Sequence, residues 1–542
     1  MKSASFSFFL SVIHILFLHW LSYPGSAHTH GDFLECFSNH FSNSTSSFAK
    51  LIYTPNDTSY ISVLNSTIQN PRFSFPSTPK PLVIVTPVHA SQVQATVKCS
   101  KKHGLQIRTR SGGHDLEGLS YISHVPFVII DLRNLSSISV NVDDKTAWVE
   151  AGATIGELYY RISGKSGNLG FPAGFCHTVG VGGHFSGGGY GALMRKYGLS
   201  ADNIVDAHLV NDDGRILDRK SMGEDMFWAI RGGGAASFGV ILSWKIKLVH
   251  VPSKVTVFRV DRNLEKNETK KIVDRWQYVA DKFYEDLLII VRFQTVNSAQ
   301  EGTSKITLQA SFYSLFLSGV DRLLPLMEKS FPELGLVRED CTEMSWIESI
   351  VYFAGISSEE SREGLLDKTP RLLGHLPFKI KSDYVREPIP ENALEKMWET
   401  LYDEEVGKAY IQFFPYGGRM SEISESEIPF PHRAGNLFHI LYFVNWEGGN
   451  VRASKRHLSW IRRVYSYMTP YVSKNPRPAY FNYRDLDIGT NNNNGTNSYA
   501  QAIIWGTKYF QNNFNRLVHV KTAVDPSNLF RSEQSIPPLL RQ

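Results

Sequence analysis

Three glycine-rich segments of this 542-residue chain carry the side chains best suited to chemistry. The first, RSGGH at 110–114, ends in His114, the second covers 172–191 and holds Cys176 among eight glycines, and the third covers 231–239. Glycines at this density destabilise helix and strand interiors, but they let a ligand lie against the main chain, where N–H groups converge on an anion. We therefore expect the segments to share one large planar or phosphorylated cofactor.

Two common nucleotide-binding motifs and the usual zinc motifs are absent from the sequence. Gly164-Lys165-Ser166 ends like a Walker motif, but Tyr159 stands where that motif requires a glycine. No G-x-G-x-x-G lies between a predicted strand and helix, which disfavours a nicotinamide cofactor. The four cysteines have no zinc-ligand spacing, so we expect no metal site. One disulfide can form among them, and spacing does not specify the pair.

Composition argues against nucleic-acid and membrane partners. The net charge is +5, basic and acidic residues are interspersed, and no RRM, zinc-finger or helix-turn-helix signature is present. The N-terminal apolar run is short and interrupted by His14 and His19. Small residues follow it at 24–27, so residues 1–27 are predicted to be a signal peptide, and no membrane anchor is expected.

Export is also indicated by six N-x-Ser/Thr sequons, three of which follow the signal peptide closely. Their asparagines are Asn43, Asn56, Asn65, Asn134, Asn267 and Asn494. We expect a glycosylated, monomeric protein of the secretory pathway that is secreted to the apoplast or kept in the vacuole.

Hydrophobic periodicity predicts an α+β chain with more than one unit. A β-α-β pattern begins at residue 82, with a helix capped by Ser91 and a strand at 106–110. Further strands are predicted at 127–132 and 147–151, and a helix at 154–163 ends at Gly164. From about residue 252 to 471, long β-like runs alternate with amphipathic helices, which indicates a separate α+β unit.

Taken in order, these motifs resemble the plant berberine-bridge-enzyme-like family, within the vanillyl-alcohol-oxidase class of FAD proteins. The resemblance spans nearly the whole mature chain and rests on RSGGH (110–114), GFCHTVGVGGH (174–184), RGGG (231–234), PFPHRAGNL (429–437) and NYRDLDIG (482–489). It implies a two-lobed PCMH-type FAD domain with an inserted substrate domain and a C-terminal segment that completes the FAD domain. The implied bounds are 28–76 for an N-terminal segment, 77–252 for the FAD domain, 253–470 for the insertion and 471–542 for the last segment.

In that family FAD is attached by two covalent bonds, which the resemblance carries over to His114 for the flavin 8α-methyl group and Cys176 for ring carbon 6. Two tethers would fix the ring and raise its reduction potential. The resemblance places His184 near flavin N1 and C2=O, where a positive charge or a donated proton would stabilise the reduced flavin. It places Val179 where valine goes with oxidases, so we expect O2 as electron acceptor.

The resemblance implies further cofactor-binding residues and a disulfide. The cofactor-binding residues are Arg110, Ser111, Gly112, Gly113, Gly174, Val179, Gly180, Gly183, His184 and Asn482. Cys36 is expected to pair with Cys99, which leaves Cys341 as a free, buried and effectively apolar side chain.

Three residues are candidates for handling the substrate. Tyr483 matches a tyrosine proposed as base in cannabinoid-forming relatives, and Arg484 or another cation would lower its pKa. An aromatic that only packs on the flavin is the alternative. His439 replaces the glutamate of alkaloid-forming and cannabinoid-forming relatives and remains competent as acid, base or donor. Arg292, on a mostly buried strand, can bind a phenolate or a polarised carbonyl, or can simply face solvent.

The substrate pocket is predicted to be roomy and apolar. Leu116 stands where many monolignol-oxidising and carbohydrate-oxidising relatives have tyrosine, and Leu441 replaces a glutamine of monolignol oxidisers. The leading expectation is an oxidase of plant specialised metabolism that takes hydride from a lipophilic phenolic or prenylated molecule and forms H2O2. The alternatives are a Diels–Alder cyclase that uses FAD without net redox, and a cell-wall oligosaccharide or monolignol oxidase.

Overall fold

A computed structural model describes residues 26–41, 51–297, 306–357, 360–369, 376–403, 408–448, 451–491 and 498–539. Most of the predicted signal peptide and the sequons at Asn43 and Asn494 lie outside these ranges. Within them, none of the helices combines the length and the apolar character that spanning a bilayer requires.

Strands and helices are numbered in chain order over the described residues. The strands are β1 Ile52–Tyr53, β2 Val83–Val85, β3 Gln106–Arg110, β4 Phe127–Asp131, β5 Ile138–Asn141, β6 Thr146–Glu150, β7 Leu169–Gly170, β8 Ile204–Val210, β9 Ile216–Leu217, β10 Val240–Lys247, β11 Val249–His250, β12 Val255–Asn263, β13 Leu287–Asn297, β14 Ile306–Phe316, β15 Cys341–Met344, β16 Phe378–Val385, β17 Lys408–Pro415 and β18 Phe438–Asn445. The helices are α1 Ser26–Asn39, α2 Tyr60–Asn65, α3 Ala90–Lys102, α4 Ile155–Ser163, α5 Val181–Ser186, α6 Met194–Tyr197, α7 Arg219–Ile230, α8 Asn267–Val279, α9 Val320–Ser330, α10 Trp346–Phe353, α11 Glu391–Glu399, α12 Arg419–Glu422, α13 Val451–Tyr467, α14 Tyr499–Phe510 and α15 Asn513–Val524.

Three main sheets organise the described residues. The first has the order β1-β2-β4-β3, in which β4 runs parallel to β2 and β3. The second is antiparallel, in the order β5-β6-β10-β8-β9, and the third is an antiparallel sheet of seven strands in the order β15-β12-β14-β13-β17-β18-β16. The α+β, two-lobed PCMH-type fold expected from the sequence is confirmed.

The seven-stranded sheet has one face in a hydrophobic core and the other towards a cavity. Side chains alternate along a strand, so Val291 and Phe293 of β13 enter a core shared with α8, α9, α11 and α13. Ile290 and Arg292 project from the opposite face and line the cavity. The pattern of the strand therefore decides that Arg292 faces the site.

Local signals place most of the predicted elements correctly. The Thr154 hydroxyl accepts a hydrogen bond from the Glu157 N–H at the start of α4, and Gly164 follows the last residue of that helix. The start of α3 differs from the prediction, because His89 rather than Ser91 is its N-cap residue and the Gln92 side chain accepts a hydrogen bond from the His89 N–H.

The cysteines and the described sequons are placed as follows. Cys36 and Cys99 form a disulfide with an S–S distance of 2.08 Å. Cys341 is free but only half-buried on β15, so the expectation of a buried apolar cysteine is wrong. The four described sequon asparagines are exposed, as a glycan would require; they are Asn56, Asn65, Asn134 and Asn267.

Candidate active site

A cavity of about 650 Å³ is lined by residues of the first and second sheets, of the C-terminal segment and of the open face of the seven-stranded sheet. One end is lined by β3 residues and by Arg531 and Ser532, and the other by Arg259, Arg292 and other residues of the large sheet. All three glycine-rich segments contribute to its wall. The expectation that they share one site is met by this geometry.

The glycines of the first two segments serve two different purposes. A Cβ on Gly112 would lie 2.4 Å from the Gly180 nitrogen, and one on Gly180 would lie 2.1 Å from the Ser111 hydroxyl, so these glycines let two loops touch each other. Gly113 has φ +72°, and its Cβ would meet the Thr67 carbonyl oxygen. A Cβ on Gly183 would meet nothing within 4 Å, so here the main chain borders open cavity.

His114 and Cys176 both line the cavity and are connected through Thr178. The Thr178 hydroxyl lies 2.9 Å from Nε2 of His114 and 3.5 Å from Sγ of Cys176. Burial lowers the pKa of His114 to about 4 and raises the pKa of the Cys176 thiol.

His184 is a neutral hydrogen-bonding group rather than a cation in this structure. Its Nε2 accepts a hydrogen bond of 3.1 Å from the Gly174 N–H, which leaves the proton on Nδ1. Burial, with a further effect of His114, lowers the pKa of His184 to about 3. This neutral form can donate a hydrogen bond from Nδ1, which is one of the two roles expected for His184. Asn482 also lines the cavity, and it donates to the His184 carbonyl oxygen at 2.9 Å.

Several buried donors of the cavity wall have no partner within the described protein. They are Nε of Arg108, Oγ of Ser120, Nη1 of Arg484 and Nε of Arg531. Buried donors are almost always satisfied, so their number here indicates a ligand rich in acceptor oxygens. The phosphate and ribose oxygens of FAD fit this set, and the open main chain at Gly183 suits a planar ring. Arg531 was not predicted from the sequence, because it lies far along the chain from the glycine-rich segments.

Arg110 does not line the cavity, contrary to the expectation that it binds the cofactor. Its side chain is fully buried, with its Nη2 atom 2.6 Å from Oδ2 of Asp131. It also donates to the carbonyl oxygens of Val63 and Leu64. Arg110 and Asp131 are register partners on the parallel strands β3 and β4, so the arginine anchors the strand that leads to His114.

A chain of hydrogen bonds leads from the cavity into the large sheet. The Tyr483 hydroxyl is bonded to the Tyr190 hydroxyl, which lies 3.1 Å from Nε2 of His439. Burial raises the pKa of Tyr483 and of Tyr190 and lowers that of His439 to about 3. Tyr190 was missed as a candidate, although it stands within the second glycine-rich segment.

Two expectations about the residues in and beside this series of hydrogen bonds need correction. His439 is 2 % exposed and does not line the cavity, whereas Tyr190, whose hydroxyl lies 3.1 Å from its Nε2 atom, does. Arg484 does not act on Tyr483 in the structure, because its Nε atom donates to Asp115 at 2.8 Å. Among the described residues that affect the pKa of Tyr483, none is a cation.

The opposite wall of the cavity is largely apolar, as expected. Leu116 and Leu441 belong to one hydrophobic cluster, against which Tyr410 and Tyr483 pack. Arg292 faces this space rather than solvent, and its guanidinium carbon is 4.4 Å from the centre of the Tyr410 ring. Val179, Ser111 and Gly174 also border the cavity.

Buried neutral histidines make stability depend on pH. Burial lowers the pKa of His432 and of His439 to about 3, and both side chains are 2 % exposed. An unfolded histidine titrates near pH 6.5, so below that pH the unfolded chain binds protons that the folded chain excludes. The free energy of unfolding is therefore expected to fall as the pH drops below about 6.5, by up to about 1.4 kcal/mol per pH unit for each histidine.

Urea unfolding of the wild type and of His439→Gln between about pH 7 and pH 4 checks this expectation. As the pH falls, the free energy of unfolding of the variant should decline less steeply than that of the wild type, by up to about 1.4 kcal/mol per pH unit. Equal slopes for the two proteins would contradict it. Above about pH 7 both histidines are neutral in either state, and the slopes should agree.

Comparison with known proteins agrees with the site geometry. Residues 81–219 match the FAD binding domain family, and residues 479–537 match the family described as berberine and berberine like. Cannabidiolic acid synthase-like 1 of Cannabis sativa is 55% identical over 545 residues, which cover 99% of each chain. Tetrahydroberberine oxidase of Berberis wilsoniae is 54% identical over 507 residues, which cover 94% of each chain.

The solved structure of BBE-like protein 28 from Arabidopsis thaliana has the same fold, with a TM-score of 0.88 and 50% sequence identity over 94% of this chain and 100% of that one. The matched part of this chain is thus nearly its whole length. The chain is therefore a member of the berberine-bridge-enzyme-like family of FAD-dependent oxidoreductases.

Proposed function

We propose that this enzyme oxidises a lipophilic phenolic or prenylated molecule by hydride transfer and closes a ring or forms a double bond. The observation that carries the proposal is the position of Tyr483. Tyr483 lines the same cavity as His114 and Cys176, and its ring packs against the apolar cluster that contains Leu116 and Leu441. A phenol or alcohol that packs on this cluster presents its hydroxyl group to Tyr483.

The chain through Tyr190 gives the substrate proton a route away from the cavity. Tyr483 is protonated near neutral pH because burial raises its pKa, so it takes the substrate proton while passing its own to Tyr190. Nε2 of neutral His439 is the acceptor at the end of the chain. Bound FAD supplies the acceptor for the two electrons that leave as hydride from the substrate carbon.

Two covalent bonds to FAD, at His114 and Cys176, are part of the proposal. The support is that both side chains border the cavity and that the Thr178 hydroxyl lies 2.9 Å from Nε2 of His114 and 3.5 Å from Sγ of Cys176. After acid precipitation, wild-type protein should keep its yellow chromophore, and the double variant His114→Ala/Cys176→Ala should lose it. Cys176→Ala alone should keep the chromophore with a shifted spectrum and a lower reduction potential.

Cys341→Ala is the matched control for this experiment, because Cys341 is a free cysteine outside the cavity wall. It should leave the flavin spectrum unchanged. An unchanged spectrum and potential in Cys176→Ala would contradict the second bond.

We further propose O2 as the electron acceptor, with H2O2 as its product, on the support of Val179 in the cavity wall. The test is aerobic and anaerobic incubation of the holoenzyme with prenylated phenols, sugars, and diene with dienophile pairs. The expected result is anaerobic bleaching of the flavin by a phenol, followed by recolouring and stoichiometric peroxide when air is admitted. Bleaching by sugars alone would favour an oligosaccharide oxidase.

A cycloaddition without net redox is the other outcome of that experiment. It would give product with neither bleaching nor oxygen uptake. One observation speaks against this alternative: His439, a candidate hydrogen-bond donor to the substrate, does not line the cavity and is bonded to Tyr190. The secretory pathway, with final location in the apoplast or the vacuole, remains part of the proposal; the Cys36–Cys99 disulfide is consistent with it.

A further inference from the structure

The charged side chains of the cavity wall are unequally neutralised. The wall has five arginines but, among its described residues, a single carboxylate, Asp115. Three of the arginines are paired with acids: Arg108 with Glu533, Arg484 with Asp115 and Arg259 with Asp261. Arg531 has no carboxylate within 4.0 Å in the described chain, but it lies at the far end, with the donors assigned to FAD.

Arg292 is the remaining arginine, and it stands at the substrate end. Its Nε and Nη2 atoms both donate to Oε1 of Gln412, a neutral partner, at 3.0 and 2.8 Å. The rings of Tyr313 and Tyr410 lie 5.2 and 4.4 Å from its guanidinium carbon. These contacts fix the plane of the guanidinium group and leave its Nη1–Nη2 edge without a partner among the described residues.

We propose that the substrate is an aromatic carboxylic acid and that the free edge of Arg292 binds its carboxylate. Two parallel N–H donors match the two oxygens of a carboxylate, and a guanidinium group is the side chain best suited to such a bidentate pair. The tyrosine rings on either side exclude water from the pair and so strengthen it. This inference rests on the proposed function, since it defines the class of molecule that Tyr483 deprotonates.

The rest of the wall fixes how such an acid lies. Tyr410 connects Arg292 with the apolar cluster, because its ring lies 4.4 Å from the Arg292 guanidinium carbon and also packs against that cluster. Tyr410 and Tyr483 pack against the same cluster, which contains Leu116 and Leu441. An acid held at Arg292 therefore places its apolar body on this cluster and its hydroxyl group at Tyr483. A substrate with a protonated amine is disfavoured, because the guanidinium group of Arg292, which has no acidic partner among the described residues, would repel it.

The test measures binding to the purified holoenzyme through changes in flavin absorbance. The probes are 4-hydroxy-3-prenylbenzoate and its methyl ester, which differ in charge and hardly in apolar surface. Wild-type enzyme should bind the acid about 10- to 100-fold more tightly than the ester, the range for a hydrogen-bonded charge. Arg292→Gln should abolish this preference, and Arg292→Lys should keep part of it.

Arg259→Gln is the matched control, because Arg259 lines the same end of the cavity but is already paired with Asp261. It should keep the preference for the acid. Equal affinity of the wild type for acid and ester, including no detectable binding of either, overturns the proposal, as does an unchanged preference in Arg292→Gln.

The same experiment separates this inference from the proposed oxidation. Anaerobic bleaching by the ester, with no preference for the acid, would leave the oxidase in place and remove the carboxylate site. Tight binding of the acid that is lost in Arg292→Gln, with no bleaching by any phenol, would keep the carboxylate site and overturn the oxidation.

Discussion

Replacing the hydroxyl group of Tyr483, in Tyr483→Phe, is expected to lower kcat for the oxidised phenol by about 10²- to 10⁴-fold, the range for loss of a general base. The physical reason is that Tyr483 borders the cavity and is bonded to Tyr190, which leads to His439. Without the hydroxyl, the substrate proton loses its path to Tyr190 while hydride leaves. Single-turnover flavin reduction under anaerobic conditions measures the step directly.

Two further variants show whether Tyr483 acts chemically or only packs on the flavin. Tyr190→Phe cuts the chain in the middle and should also slow flavin reduction, whereas Tyr313→Phe, on the same cavity wall but outside the chain, should not. The affinity for substrate should change little in Tyr483→Phe, because the ring that packs on Leu116 and Leu441 is retained. If flavin reduction in Tyr483→Phe is as fast as in the wild type, the residue is a packing aromatic, and the base lies elsewhere.

Loss of one buried carboxylate, in Asp131→Asn, is expected to lower the free energy of unfolding by about 3 to 5 kcal/mol, the range for breaking a buried ion pair. Arg110 is fully buried and has Asp131 as its carboxylate partner, with bonds of 3.0 and 2.6 Å from Nε and Nη2. Arg133 also donates to Asp131. The neutral amide would leave the Arg110 charge buried without compensation.

Urea or thermal unfolding of the holoenzyme measures this effect, together with the flavin content of the purified protein. The control is Asp225→Asn, which removes an exposed pair with Arg516 and should cost less than about 1 kcal/mol. Because Arg110 anchors the end of β3 just before His114, we also expect less attached flavin in Asp131→Asn. Equal stability of the two variants would show that the Arg110 charge is compensated in another way.

The sequence by itself determined the elements and the cofactor class. Glycine density marked the segments that the structure brings to one cavity, since only glycine permits the close approach seen at Gly112 and Gly180. The apolar run around Arg292 predicted strand β13, although it left open whether this arginine faces a ligand or solvent. Such signals are local: a few neighbouring residues contain the whole physical cause.

Tertiary structure alone decided the partners of the charged and polar groups. Arg110 belongs to the RSGGH motif, but it forms a buried ion pair with Asp131 because that residue lies beside it on β4. His439 does not line the cavity and is bonded to Tyr190, which is 249 residues away in the chain. Lys379 and Lys381 on β16 are both buried among the carboxylates of other segments.

The physical reason is common to these cases. A charge can be buried only where a partner compensates its loss of hydration, and the partner comes from whichever segment the fold brings near. The residues next to such a charge in the sequence do not indicate which segment that is. The type and spacing of its residues thus decided that this chain holds FAD, whereas the packing of the C-terminal segment and the large sheet around the cavity decided which side chains face the substrate.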